Sequence, residues 1–219
     1  MSGDVVVYGA GGMGQEVADL VHLASEDGAG LRLIGFLDED DRLHGTEVLG
    51  VPVLGDHRWL TGRSVQVAMA IGAPATRRRA WARLAELGPV QPATLVHPSA
   101  VIGRGSSVGA GTIVGAHATL TADVQVANLA IVNVAATISH NCRVADYATL
   151  APGAHVAGNV AVGEGADIGI GAAVVQNVSI GRWSIVGAGT VVIAEVEADT
   201  TVVGSPARVV ARRCAGWQL

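Results

Sequence analysis

The sequence predicts an α/β domain over residues 1–95, a parallel β-helix over residues 96–203 and a C-terminal tail over residues 204–219. Three observations carry this. Half of the residues are hydrophobic yet only 3% are aromatic, and there are 30 glycines, so the core is built from small and β-branched side chains. Before residue 95, strand-like and helix-like segments alternate, as in a parallel α/β unit. After it the helical spacing stops, and apolar residues recur at every sixth position.

Residues 4–8 read as a Val-rich strand, and Gly9-Ala10-Gly11-Gly12-Met13-Gly14 as a glycine turn. Residues 15–24 place Val17, Leu20, Val21 and Ala24 on one helical face. Residues 31–37 form a second strand ending at Asp38, residues 50–55 a loop with a short edge strand, and residues 65–71 a third strand. Residues 75–87 form a helix closed by Gly88 and Pro89, with Arg77, Arg78 and Arg79 on its solvated face. This order describes a small Rossmann-like domain.

From Ile102, every sixth residue through Val108, Val114, Leu120 and on to Val192 is Ile, Val or Leu. Four residues after each lies a small or β-branched one, from Ser106 and Thr112 through Cys142 and Ala148 to Val196. Neither a period of 3.6 nor one of 2 holds such a register. Each hexad is therefore a short strand and a corner, three hexads close a triangular coil, and coils stack at roughly 4.8 Å. The branched residue points inward and the small one packs beside it. Glycines directly after the apolar position, such as Gly103, Gly109 and Gly163, are expected to ease the corners.

Composition narrows the function. The net charge is −5 with no lysine and no basic run, a poor fit to nucleic acid. Two cysteines, Cys142 and Cys214, make neither a disulfide framework nor a metal spacing, and Cys142 reads as a buried thiol. There is no apolar run of the roughly 18 residues a membrane span needs, and no leader pattern, so the expected location is the cytoplasm.

Three segments carry a resemblance: Val7-Tyr8-Gly9-Ala10-Gly11-Gly12-Met13-Gly14, Leu95-Val96-His97-Pro98-Ser99-Ala100, and residues 133–159. With the hexads, they make the chain similar to hexapeptide-repeat sugar O/N-acetyltransferases, of the sialic acid O-acetyltransferase and UDP-amino-sugar N-acetyltransferase type. The resemblance implies a left-handed coil, a homotrimer, and acetyl-CoA in a cleft between prisms. Among His22, His44, His57, His97, His117, His140 and His155, it points to His140 as general base, with Asn133 touching the acceptor. The Gly158 amide, one coil beyond His140, would meet the thioester oxygen. Pro206 and Arg208, in Val203-Gly204-Ser205-Pro206-Ala207-Arg208, match the segment that borders the adenine end of CoA.

Three positions depart from that pattern. Asn141 follows the base where the family often has an acid, Ala148 replaces a second histidine, and Met13 stands where UDP-sugar members commonly carry histidine. Asp146 is a candidate substitute for the missing acid. The glycine turn fits GxGxxG between strand and helix, which suits a diphosphate, with Asp38 placed for a ribose hydroxyl. As a bare motif it reads as NAD; through the resemblance Gly9, Gly11, Gly12, Met13, Asp38 and Gly72 hold a nucleotide sugar. No metal is expected: His117 and His155 lack the paired spacing of β-helical zinc enzymes. His97 is expected to cap the junction and Trp183 to make packing or trimer contacts. The other readings are a scaffold that has lost the chemistry, an acyltransferase with a non-sugar acceptor, and a nicotinamide-linked regulator.

Overall fold

The structure, a computed structural model, describes residues 3–218, with Ala29 described by its backbone alone. Its first part is a six-stranded sheet in the order β3-β4-β2-β1-β5-β6, where β1 is Asp4–Tyr8, β2 Arg32–Leu37, β3 Glu47–Val48, β4 Val51–Gly55, β5 Gln66–Met69 and β6 Gln91–Pro92. All pairs are parallel except β3 with β4. Two helices cover it, α1 (Gly12–Ala24) and α2 (Pro74–Ala85). Two expectations change here. The segment expected as an edge strand is β4, flanked on both sides, and Gly12 and Gly14 belong to the first turn of α1 rather than to the turn before it.

The second part is a left-handed, three-walled prism of two-residue strands. The first wall runs from Leu95–Val96 through Ile131–Val132 and Thr149–Leu150 to Ile185–Val186. The second runs from Val101–Ile102 through Thr137–Ile138 to Val191–Val192. The third runs from Ser107–Val108 through Arg143–Val144 to Ser179–Ile180. Partners are 18 residues apart, as in Ile131 with Thr149. Inward residues from Val114 to Val192 are buried and form one core with the small corner residues. The starting coil is open at its end, where Ile102 is 38% exposed. Corner hydroxyls and the Cys142 thiol also stitch coils together: Thr112 Oγ1 donates to Ala127 O and accepts from Ala130 N–H, and Cys142 Sγ donates to Ala157 O and accepts from Val160 N–H. Burial pushes the Cys142 thiol up, as for an inert structural cysteine.

Two features differ from the hexad reading. First, the corner conformation with positive φ falls three residues after each inward position, at Gly105, Gly111, His117, Asp123 and so on to Gly189. Gly103, Gly109 and Gly163 do another job: a methyl on Gly103 would lie 2.1 Å from Thr121 O, so these glycines admit the next coil. Second, the register shortens after Val192. Ile180 faces Val196 and Ile185 faces Thr201, 16 residues on instead of 18. Val196 thus takes an inward place. Thr200–Val203 closes the first wall, and Arg208–Arg212 of the expected tail adds an antiparallel strand.

The α/β unit sits on the first wall. Leu95, Ile113 and Ile131, whose side chains face outward there, are buried against Val17, Leu20 and Val21 of α1. Contrary to the solvated-face reading, Arg77 is 1% exposed. Helix α2 presents it to the prism, while Arg79 stays exposed and Arg78 lies over the Trp183 ring, 5.4 Å from its centroid. Trp183 is buried within the protomer against Gly165, a packing role.

Candidate active site

His140 stands at the corner between the second and third walls, two residues past the inward Ile138, and is exposed. Its ring lies against Gly158 of the next coil: a methyl there would be 2.5 Å from Cε1 and 2.6 Å from Nε2. Glycine at 158 is what lets the imidazole lie flat on the wall. Gly158 O accepts from Asn177 N–H, whereas its own N–H has no acceptor among the described residues and points to no coil partner. An imidazole and a free amide donor are thus neighbours at one corner. The side-chain amide of Asn141 stands 3.2 Å from His140 Nδ1. The two ends of a carboxamide interchange by a half-turn, and with the oxygen toward the ring, Nδ1–H donates to it and the Nε2 lone pair is free. Asn141 has φ 59°, the left-handed corner position, where asparagine is tolerated better than most residues.

Asp146 does not replace the missing acid. It lies one corner further on, where Oδ1 accepts from Asn128 N–H at 2.8 Å. His155 faces outward on the second wall with Nδ1 2.9 Å from Thr137 Oγ1. Among the described residues no three His, Cys, Asp or Glu side chains gather to hold a metal ion.

A cavity of about 300 Å³ lies between α1 and the first wall, lined by Met13, Glu16, Leu20, His97, Ile131, Asn133 and Val134 among others. It joins the glycine loop of the α/β unit to the corner between the first and second walls. Asn133 Oδ1 accepts from Val134 N–H there. His97 caps the junction as expected, Nδ1 accepting from Ser99 N–H at 3.0 Å.

The loop is shaped by close packing. A methyl on Gly14 would lie 2.0 Å from Gly9 O, and Gly9 has φ 108°. Gly11 caps α1 without a side-chain hydrogen bond, Gly11 and Gly12 face open space, and the first turn has no acidic residue, which leaves its N–H groups available to an anion. Asp38 braces this loop: Oδ2 accepts from Ala10 N–H at 2.8 Å and Oδ1 from Asp40 N–H at 2.9 Å. Beyond it Glu39 accepts from Tyr8 and His57; burial opposes its charge, these hydrogen bonds outweigh that, and its pKa falls. Gly72 lies beside Met13, 3.7 Å from its Sδ by the same methyl measure.

Arg208 is exposed and lines a cleft of about 190 Å³ with Ala194 and Glu195. Ala194 belongs to the column His140, Gly158, Gln176 and Ala194 at 18-residue intervals, so Arg208 lies about three coils, roughly 15 Å, along the axis from His140. Pro206 is exposed in the turn just before it.

The residues that sequence reasoning missed are on the α/β side: Glu16 and Leu20 in the cavity, and Arg77 beneath Gly72. Pro74, Arg77, Trp81 and Leu84 share one helical face, and that spacing is the signal by which the buried place of Arg77 could be found.

The prism, the cavity beneath a glycine-loop helix and the exposed corner histidine define an acyltransferase architecture. Residues 4–84 match the PglD N-terminal domain family. Along nearly the whole chain, the structure is similar to a histidine variant of perosamine N-acetyltransferase from Caulobacter crescentus in complex with CoA and GDP-perosamine (33% identity, 95% of this chain and 97% of that one, TM-score 0.85). It is similar to WeeI from Acinetobacter baumannii AYE (32%, 94% and 99%, TM-score 0.84). It is also similar to the acetyltransferase domain of PglB from Neisseria gonorrhoeae FA1090 in complex with acetyl coenzyme A (31%, 96% and 100%, TM-score 0.84). No curated protein sequence matches significantly. The chain belongs to the hexapeptide-repeat sugar N-acetyltransferase family.

Proposed function

We propose that this protein transfers the acetyl group of acetyl-CoA to the amine of a nucleotide-linked amino sugar. The observation that carries the reading is the cavity joining Met13 to Asn133, which sets an uncapped helix N-terminus above the prism. The diphosphate meets the N–H groups at Gly11, Gly12 and Met13, with Gly9, Asp38 and Gly72 shaping the nucleotide site. Asp38 contributes through the lone pairs its two backbone contacts leave free. The sugar reaches Asn133. The amine attacks the thioester carbon, His140 Nε2 takes its proton, and the Gly158 N–H meets the developing oxyanion. The C–S bond then breaks and the proton passes to the CoA thiolate. Arg208 binds a CoA phosphate beside the Pro206 turn, and the column between Arg208 and His140 leaves an axial path for the pantetheine.

Asn133 and His140 occupy different corners at the two ends of the second wall, with the strand Thr137–Ile138 between them and about 23 Å of extended chain from one to the other. One protomer cannot place both on one sugar, which supports a homotrimer whose sites pair Asn133 of one copy with His140 of the next. Mixed trimers of Asn133→Ala and His140→Ala chains, each inactive alone, should regain activity at about a quarter of the sites; no regain in co-assembled chains places the site within one protomer. We place the protein in the cytoplasm, where the free Cys142 and Cys214 stay reduced. No helix among the described residues is long and apolar enough to cross a membrane.

The test is thiol release from acetyl-CoA with a panel of nucleotide amino sugars, GDP-perosamine included. Release with one member and none with its N-acetylated form is expected. Silence across the panel, with acetyl-CoA failing to raise Tm, overturns the reading in favour of a scaffold.

A further inference from the structure

We infer that Arg77 is a positioning residue for the acceptor, its guanidinium setting the nucleotide-binding loop at a fixed height above the prism. The inference rests on the proposed acceptor site. Arg77 leaves α2 and crosses into the prism, where Nε donates to Leu129 O at 2.8 Å and one terminal nitrogen donates to Tyr147 O at 2.6 Å and Thr149 Oγ1 at 2.9 Å. Its other terminal nitrogen turns back to Ile71 O at 2.6 Å and Gly72 O at 2.9 Å. Thr149 Oγ1 also donates to Gly72 O, at 2.9 Å. One planar group therefore ties the segment after β5 to two successive coils. Gly72 lies beside Met13, and Met13 shares its cavity with Asn133, so the tie ends at the acceptor.

The charge is held without a carboxylate in contact. Asp167 is the acid that acts on it through space, burial lowers the Arg77 pKa to about 10, and burial raises that of Asp167. A buried, unpaired cation is costly, and apolar packing would join two units at lower cost. What the guanidinium adds is a rigid fork with directions set by its plane, which neither an apolar side chain nor an ammonium reproduces. All its prism contacts are on the first-wall side, away from the column of His140, Gly158 and Ala194. Its loss should therefore move the acceptor and leave acetyl-CoA alone.

The experiment compares Arg77→Lys and Arg77→Met with Arg79→Gln, a neighbour whose side chain is exposed, in full-length protein with acetyl-CoA and GDP-perosamine or whichever panel member turns over. In Arg77→Lys the acceptor KM should rise at least about tenfold with the acetyl-CoA KM within about twofold of wild type, and Arg79→Gln should match wild type. Arg77→Lys keeps the charge and serves if Arg77→Met does not fold. Acceptor and donor KM both within about twofold, or both rising equally, overturns the inference, whatever happens to Tm. If wild type acetylates nothing in the panel, the proposed function fails, and hydrogen exchange decides the tie separately. Amides of residues 70–73 and 147–150 should then exchange at least about tenfold faster in Arg77→Lys, and unchanged exchange overturns the inference.

Discussion

Alanine at His140 lowers kcat by about two to four powers of ten, the range lost with a positioned general base. The fold should be indifferent to it. The imidazole is exposed, its ring lies against a glycine, and among the described residues its side-chain hydrogen-bond partner is the adjacent Asn141. Stability should stay within about 0.5 kcal/mol of wild type, as for surface positions free of special contacts. The decisive measurement is kcat beside the assembly state and Tm. A variant with near-wild-type turnover removes His140 from the chemistry, and a fall in kcat that tracks loss of the assembled form assigns it a structural part instead.

Alanine at Gly158 should be nearly as damaging to turnover while keeping every candidate functional group. Gly158 has no positive φ, so the backbone accepts a methyl, and the substitution trims the entropy of the unfolded chain. What gives way is the His140 ring, whose Cε1 and Nε2 would lie 2.5 and 2.6 Å from the new carbon. The ring can swing outward at little cost, and that swing carries Nε2 more than an ångström from its place over the wall. Misplacement on that scale costs about a hundredfold in rate. The expected signature is thus a fall in kcat of roughly 10–1000-fold with Tm unchanged or slightly raised, and little movement of the acetyl-CoA KM. Wild-type kcat in Gly158→Ala would mean that the ring does not work from its position against Gly158.

The prism was legible because its rule is local. One branched residue at the second position of each strand and one small residue at each corner suffice, and the run from Val114 to Val192 obeys it. The rule stops being local at the far end. There the hexad count makes Val196 a corner residue, and the structure makes it an inward one because the coil loses two residues before Thr200–Val203 rejoins the first wall. The glycines after inward positions were visible, but not their reason. Gly103 and Gly181 face the backbone of a coil that follows by about 18 residues, at Thr121 and Ala198, a contact that strand-and-corner reasoning within one hexad does not contain. Asn141 reads as a lost acid from the sequence; its φ of 59° places it at a left-handed corner that asparagine and aspartate tolerate alike.

The candidate site divides in the same way. His140, Gly158 and Ala194 belong to one corner column, and counting in eighteens brings them together before any coordinates, since the coil length is written in the repeat; Arg208 reaches that column only through the strand that folds back after the last coil. The acceptor side does not follow from counting. Helix α1 covers the first wall because Leu95, Ile113 and Ile131 offer it an apolar stripe, and the cavity lies where helix and wall do not close on each other. Three adjacent arginines are equivalent in composition, yet Arg77 alone is driven inside, since it faces carbonyls 52 and 70 residues away. Short-range repetition therefore specifies the prism and its column of candidate groups. Where the α/β unit rests, and which cation ties it down, depend on distant surfaces meeting in three dimensions, and such meetings leave no period in the chain.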